Sequence, residues 1–393
     1  MRDKLKAWQS DFTAWRRDIH AHPELAFEET RTSDIVAAKL ESFGLAVHRG
    51  LGKTGVVGTL KSGRGNRAIG LRADMDALPL QELNELPHKS VHDGKMHACG
   101  HDGHTTMLLA AARYLAEAKS FDGTVHFIFQ PAEENEGGGQ AMVRDGLFEK
   151  FPVEAIYGMH NLPGIPVGDF AMRVGPIMAA SDRFDAVIHG KGAHAAFPHT
   201  GIDPILIAAH VITVWQALVS RHTDPLQSAV LSVTSIHAGD TYNVIPDSVS
   251  LRGTVRSFDA RVQDRMEAQL QSVGQQICAA FGARLELDYR RGYPATVNTD
   301  AETQHAIRAA TKLVGKEHVN ANAAPLMGSE DFAFMLQARP GCYIFIGNGA
   351  GDGAGSCMIH NPHYDFNDTI IPLGASYWVQ LVEDLLPQRA TAE

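Results

Sequence analysis

Residues 97–104 read His-Ala-Cys-Gly-His-Asp-Gly-His, three imidazoles and a thiol in one short stretch. The segment follows neither the helical nor the strand period, and its glycines make it a poor packing element. Thiolate and imidazole are the ligands that borderline-soft transition metals prefer. The stretch therefore reads as part of a metal site, with a solvated polar turn as the alternative. A metal site needs further ligands, so the fold must carry distant parts of the chain to this segment.

The apolar runs say where those parts are. Segments 68–73, 124–129, 155–159 and 343–347 are short and rich in branched or aromatic residues, as in buried strands of an α/β sheet. Asp74 and Asp76 follow the first run, Glu133 and Glu134 follow the second, and His160 ends the third. Ligands of open α/β sheets bind beyond the carboxyl ends of the strands. Three strands delivering acids or imidazoles at those ends imply one convergent site. Helices are expected at 30–43, with Gly44 beyond its C-cap, and at 104–118.

A different pattern occupies 181–296. Strands at 183–189, 228–237, 243–256 and 283–289 enclose helices at 203–220 and 259–281. Asp203-Pro204 suits a helix start, with Asp as N-cap and Pro at N1. The order β-α-β-β-α-β is the ferredoxin-like arrangement. The expected organisation is an α/β/α domain of 1–180 plus 297–393 that carries the convergent site, with 181–296 inserted as an α+β domain whose two connections are expected to act as hinges. The length of 393 residues suits two domains.

Gln130-Pro-Ala-Glu133-Glu134 places two acids side by side. One can hold an ion while the other moves protons, a division of labour that a metal hydrolase needs. Alone, the pair would read as a solvated acidic loop. A net charge of −10 argues against a nucleic-acid partner. No apolar run approaches the ~18 residues of a membrane span. The N-terminal stretch is charged and has no apolar core, so it does not read as a secretory signal. Four cysteines without a disulfide-like spacing suit a reducing cytoplasm. No Gly-x-Gly-x-x-Gly opens a helix after a strand, which leaves a nicotinamide oxidoreductase without support.

The ordered motifs resemble the M20 metallopeptidase family, in its amidohydrolase branch of hippurate hydrolases, aminoacylases and auxin-conjugate hydrolases. They are His20-Ala-His22-Pro-Glu24, Arg72-Ala-Asp74-Met-Asp76-Ala-Leu-Pro79, the 97–104 cluster, Gln130-Pro-Ala-Glu133-Glu134 and Gly158-Met-His160. Gly190-Lys-Gly-Ala-His194-Ala, Asn243-Val-Ile-Pro246, Gly328-Ser329-Glu330-Asp331-Phe332 and His360-Asn-Pro-His363 complete the set. The resemblance implies a zinc-peptidase-like fold with an inserted dimerisation or lid domain. It implies two divalent metal ions held by Cys99, His101, Glu134, His160 and His360, with Glu133 as general acid/base and Asp76 orienting a ligand. Other branches carry a histidine where Asp74 stands. Zinc suits the thiolate, with manganese, cobalt or nickel as alternatives.

The same resemblance makes His194 a residue that reaches across a homodimer (or a dimer of dimers) to polarise the scissile carbonyl. Asn243 and Arg256 would hold the substrate, and Gly328 and Ser329 would line the leaving amino acid. A turn histidine and a structural arginine are the plain alternatives for His194 and Arg256. His97 and His104 are expected to orient ligands; Cys278 and Cys342 are expected in the core. The implied reaction is hydrolysis of an N-acyl-L-amino acid. The alternatives are a dipeptidase or carboxypeptidase with the same centre, and a metal-dependent binding protein that has lost catalysis.

Overall fold

Side chains that are branched or aromatic on both faces make strands that must be covered on both sides. In the computed structural model, which describes residues 1–388, the chain divides into two compact units. The first comprises Met1–Ile177, Val297–Ala324 and the chain from Asp331 on; the second comprises Met178–Thr296 and Pro325–Glu330. Strands are numbered in chain order. The first unit supplies β1 (Ala46–Leu51), β2 (Gly55–Ser62), β3 (Ala68–Asp74), β4 (Gly123–Gln130), β5 (Ala155–Pro163) and β6 (Phe170–Ala171). The second supplies β7 (Ala180–His189), β8 (Ala229–His237), β9 (Ser248–Ser257) and β10 (Arg284–Arg291). The chain then returns with β11 (Val319–Asn320) and β12 (Gly341–Gly349).

The first unit is built on one eight-stranded sheet of order β1-β2-β4-β3-β5-β12-β6-β11. Its centre, β4-β3-β5-β12, is parallel, and the register sets Asp74 opposite Gln130 and His160 opposite Phe345. β3 leads to β4 on one side and β5 leads to β12 on the other, so the order reverses between β3 and β5. That reversal is where an open α/β sheet opens a crevice. The strands lie where the apolar runs predict them. One detail differs: β5 runs on to Pro163, so His160 lies inside a strand rather than at its end. The reason is its pairing with β12, which continues along Asn161–Pro163.

The helix His101–Ala118 connects β3 to β4, and every residue from His101 to Ala112 is buried. It begins three residues before the expected 104. Gly100 takes a left-handed φ of 98°, and a Cβ there would sit 2.2 Å from Asn161 Oδ1. This glycine brings the chain into the helix early and puts His101 in its first turn. The helix Thr30–Ser42 ends as expected, with Gly44 at φ 83°.

The second unit is an antiparallel sheet of order β8-β9-β7-β10 with the helices Pro204–Ser220 and Ala260–Ala280. The chain order is β-α-β-β-α-β. Asp203 caps the first helix by accepting the N–H groups of Ile205 (2.9 Å) and Leu206 (3.4 Å). Trp215 is fully buried and donates Nε1–H to the Leu270 carbonyl at 3.1 Å. The strand expected over 243–256 is in two parts. Val244–Ile245 pairs with Ala193–His194, and β9 starts only at Ser248. Pro246, which has no N–H to donate, separates them. Among the described residues no helix is long and apolar enough to cross a membrane, and all four cysteines are free.

Candidate metal centre

The carboxyl ends of β3 and β4 release two acidic turns at the same edge of the first unit's sheet. Asp76, two residues past β3, ties the turns together. Its Oδ1 lies 3.1 Å from His101 Nδ1, and its Oδ2 accepts the Glu134 backbone N–H at 2.9 Å. One carboxylate thus sets both an imidazole and the turn that carries the acid pair. The turn itself holds Ala132 at φ 53°, a left-handed value that alanine rarely adopts. Glu133 is buried, and its Oε1 accepts the Asp331 N–H at 3.3 Å. Asp331 is fixed in turn by Arg72 Nη2 (3.1 Å), Gln130 Nε2 (2.7 Å) and the Gly139 N–H (2.7 Å).

Potential ligand atoms gather in overlapping groups, each within 4.8 Å: Cys99 with His101 and His160, Cys99 with Glu134 and His360, and His101 with Glu133 and Glu134. All six residues named for these roles are therefore brought together. Hydrogen bonds fix two of the imidazoles. His160 Nδ1–H donates to the Asn161 carbonyl at 2.6 Å, which leaves Nε2 as an acceptor 3.3 Å from Cys99 Sγ. His101 gives Nδ1–H to Asp76, and its buried Nε2 has no hydrogen-bond partner. Each ring is anchored through Nδ1 and leaves Nε2 for the cluster, the orientation a cation requires. His360 Nε2 lies 3.1 Å from Glu134 Oε1, on a residue held at φ 61°. Backbone strain of this kind persists only where surrounding structure enforces it, and it clusters at functional sites.

The electrostatics favour a cation. Burial, then the carboxylates of Glu134, Glu133 and Asp74, push the Cys99 thiol well above its usual range. Burial, then His104, holds His160 well below its usual value, as a neutral ring. Burial is also the largest influence on His101 and disfavours its charge. Asp74, Asp76 and Glu134 together outweigh that burial and raise its pKa to about 10. A proton on Nε2 answers the same negative field that a divalent cation would, and the cation would also turn the thiol into a thiolate. The donor set of sulfur, imidazole nitrogen and carboxylate suits zinc-like ions.

Residues 70–384 match the family described as Peptidase family M20/M25/M40. The chain belongs to this family. It is 41% identical to the hippurate hydrolase of Campylobacter jejuni over 95% of this chain and 96% of that protein. It is likewise 41% identical to an N-acetyl-L-cysteine deacetylase of Bacillus subtilis, over 95% and 88%. A crystal structure from Bacillus subtilis, described as a dinuclear metal binding peptidase from the M20 family, superposes with a TM-score of 0.85. It shares 34% identity over 97% of this chain and 99% of that one. The protein is therefore an enzyme, an amidohydrolase with the M20 α/β fold.

The M20 motifs of the second unit are placed as follows. His194 is exposed and lies opposite Val244 in the short strand pair, and the next residue, Ala195, donates its N–H to the Asn243 carbonyl at 2.9 Å. His194 and Asn243, far apart in sequence, are thus neighbours. Arg256 is on β9, half-buried, with Nη1 donating to Thr254 Oγ1 and to the Val255 carbonyl. It is not a freely exposed arginine. Gly328 and Ser329 fall in the 325–330 segment, which groups with the second unit; the Gly328 carbonyl accepts the Ala179 N–H at 2.9 Å.

His104 packs edge-on against the His160 ring, with centroids 4.4 Å apart. It is held between Asp74 Oδ1 (2.6 Å) and Asn161 Oδ1 (2.7 Å). Neither nitrogen of buried His97 has a hydrogen-bond partner among the described residues, so it orients no ligand through one. Cys278 and Cys342 are core residues, as expected.

The sequence reading missed a buried network behind the cluster. Arg16, fully buried, reaches Asp102 (3.4 Å), Asp365 (2.9 Å) and Asp368 (2.7 Å). It ties the start of the ligand-bearing helix to the segment after His360. His20 joins through Asp102 at 2.8 Å and Glu82 at 3.4 Å. Burial opposes charge on His20, but these hydrogen bonds outweigh it and raise its pKa to about 9 from 6.5. A base raised in this way stabilises the fold fully below pH 6.5 and loses that stabilisation as pH rises through about 9. The melting temperature should therefore fall over this interval, and His20→Gln should flatten that fall. An equally steep profile in the variant would remove His20 as its source.

Proposed function

We propose that this M20 enzyme hydrolyses the amide bond of N-acyl-L-amino acids, releasing a carboxylic acid and a free amino acid. The observation that carries the reading is the convergence of Cys99, His101, Glu134, His160 and His360 around a further acid, Glu133, that this ligand set does not need. The names of the relatives agree: hippurate and N-acetyl-L-cysteine are both N-acyl amino acids.

In this reading those five residues would hold two divalent cations; zinc suits the thiolate, with manganese, cobalt or nickel as alternatives. Bound there, the cations supply Lewis acidity that polarises a carbonyl and brings the pKa of water towards about 7. Asp76 keeps His101 and Glu134 in place. Glu133 takes a proton from the attacking water, whose oxygen bonds to the amide carbon. Glu133 then delivers that proton to the nitrogen as the C–N bond breaks. His194 of a homodimer partner would polarise the carbonyl oxygen. Asn243, Arg256, Gly328 and Ser329 would hold the amino-acid half; a guanidinium suits a carboxylate because its planar fork meets both oxygens. Four unpaired cysteines agree with a cytoplasmic setting.

The test is release of amino acid from N-acetyl, N-benzoyl and indole-acetyl amino acids against dipeptides, with sedimentation of the same sample. Cleavage of N-acyl substrates by a dimer is expected. Cleavage of dipeptides alone would reassign the enzyme as a peptidase, and a fully active monomer would remove the role of the partner's histidine.

A further inference from the structure

Beside the cluster, the first unit contains a cavity of about 520 Å³ that Glu134 helps to line. Its other walls include Leu25, Phe27, Lys53, Leu78 and Pro79. This is within the size range of small-molecule sites, and its construction is unusual. Six non-glycine residues of the described chain have left-handed φ, and three of them line this cavity: Phe27 (62°), Lys53 (69°) and Asn135 (68°). One buried carboxylate holds all three wall segments. Glu29 accepts the Phe27 N–H at 3.0 Å, the Ala132 N–H at 2.8 Å and the hydroxyl of Thr54, next to Lys53, at 2.6 Å. Backbone bonds tie the remaining walls, since Ala77 donates its N–H to the Glu24 carbonyl at 2.8 Å and Leu25 bridges to Ala77. Strain maintained by a buried carboxylate indicates a shaped pocket rather than a gap between loops.

The lining chooses the occupant. Leu25, Phe27, Leu78 and Pro79 offer apolar surface. Glu28, Glu134 and Glu136 surround it with negative charge. The one lysine has its Nζ 4.4 Å from the centre of the Phe27 ring, and its charge already faces that π-system. Even with Glu134 holding a cation, an amino-acid carboxylate would meet Glu28 and Glu136 here. An uncharged apolar group would meet hydrocarbon and an aromatic ring.

We infer that this cavity receives the acyl half of the substrate, and that it selects uncharged apolar acyl groups of benzoyl size or larger, with Phe27 as a specificity-determining residue. The inference rests on the N-acyl amino acid reading above and adds which half of the substrate lies where. Acetyl would leave nearly all of this apolar lining in contact with water; benzoyl, and larger groups still more, would cover part of it.

The test compares kcat/KM for N-benzoylglycine and N-acetylglycine in the metal-loaded enzyme and in Phe27→Ala and Ala26→Leu, which open and fill the cavity. The benzoyl-to-acetyl ratio should fall about tenfold or more in both, as one misfitted apolar contact commonly costs. Inhibition of N-acetylglycine cleavage by benzoate should weaken in parallel. Phe27→Leu, which keeps an apolar side chain, should move the ratio the same way if Phe27→Ala is too unstable to assay. Folded variants with an unchanged ratio and unchanged benzoate inhibition would overturn the inference while leaving the reaction class intact. Failure of the unaltered enzyme to cleave any N-acyl amino acid would instead overturn the reaction class.

Discussion

Replacement of Glu133 by glutamine should lower kcat by roughly 10²–10⁴-fold or more while leaving bound metal unchanged. Glutamine has the same shape, and its side-chain carbonyl can still accept the Asp331 N–H that now reaches Glu133 Oε1. It has no basic site for a proton. Because Glu133 stands outside the five-residue ligand set, metal analysis of the variant should match the parent enzyme. Glu134→Gln should behave differently: Glu134 lies with Cys99 and His360 in one group, so metal content and turnover should fall together. The contrast between two adjacent acids separates a proton carrier from a ligand. Near-normal turnover of Glu133→Gln at full metal content would sink the mechanism.

Much of this centre was legible in the sequence because its residues are punctuation. Asp74, Asp76, Glu133 and Glu134 sit where apolar runs stop, and parallel strands expose their carboxyl ends on one edge. The β-α-β-β-α-β order of the inserted unit was legible for the same reason, from alternation and from the Asp203-Pro204 cap. What escaped depended on distance in the chain. Arg16 contacts Asp365 and Asp368, about 350 residues away, and no local pattern marks such a pair. Glu29 looks like one more acid in a polar stretch. Only the fold places it under Phe27, Thr54 and Ala132, where burial, its largest influence, raises its pKa to about 7. The left-handed residues Phe27, Lys53, Ala132 and His360 escaped because none is a residue type that announces that conformation. The helix start at His101 escaped because its first turn is polar although buried, so apolar side chains begin only a turn later.

Stripping the metal should abolish turnover and destabilise one unit selectively. Asp74, Asp76, Glu133 and Glu134 crowd into one edge of the first unit, where Arg72 and the imidazoles offset part of their charge, and the first three are buried. Like charges held that close in a poorly hydrated site repel strongly, and divalent cations remove that cost. A ligand present at 1,000 times its dissociation constant stabilises the folded state by about 4 kcal/mol, enough to shift a melting transition by several degrees. Every candidate ligand belongs to the first unit, and the second has its own core around Trp215. Calorimetry of chelator-treated protein should therefore show the first unit's transition moving down while the second unit's stays in place, with both activity and transition restored by zinc, manganese or cobalt. If the treated protein, shown metal-free by elemental analysis, keeps its turnover and its melting profile, then the acidic cluster is balanced by protons alone and the hydrolytic mechanism proposed for it fails.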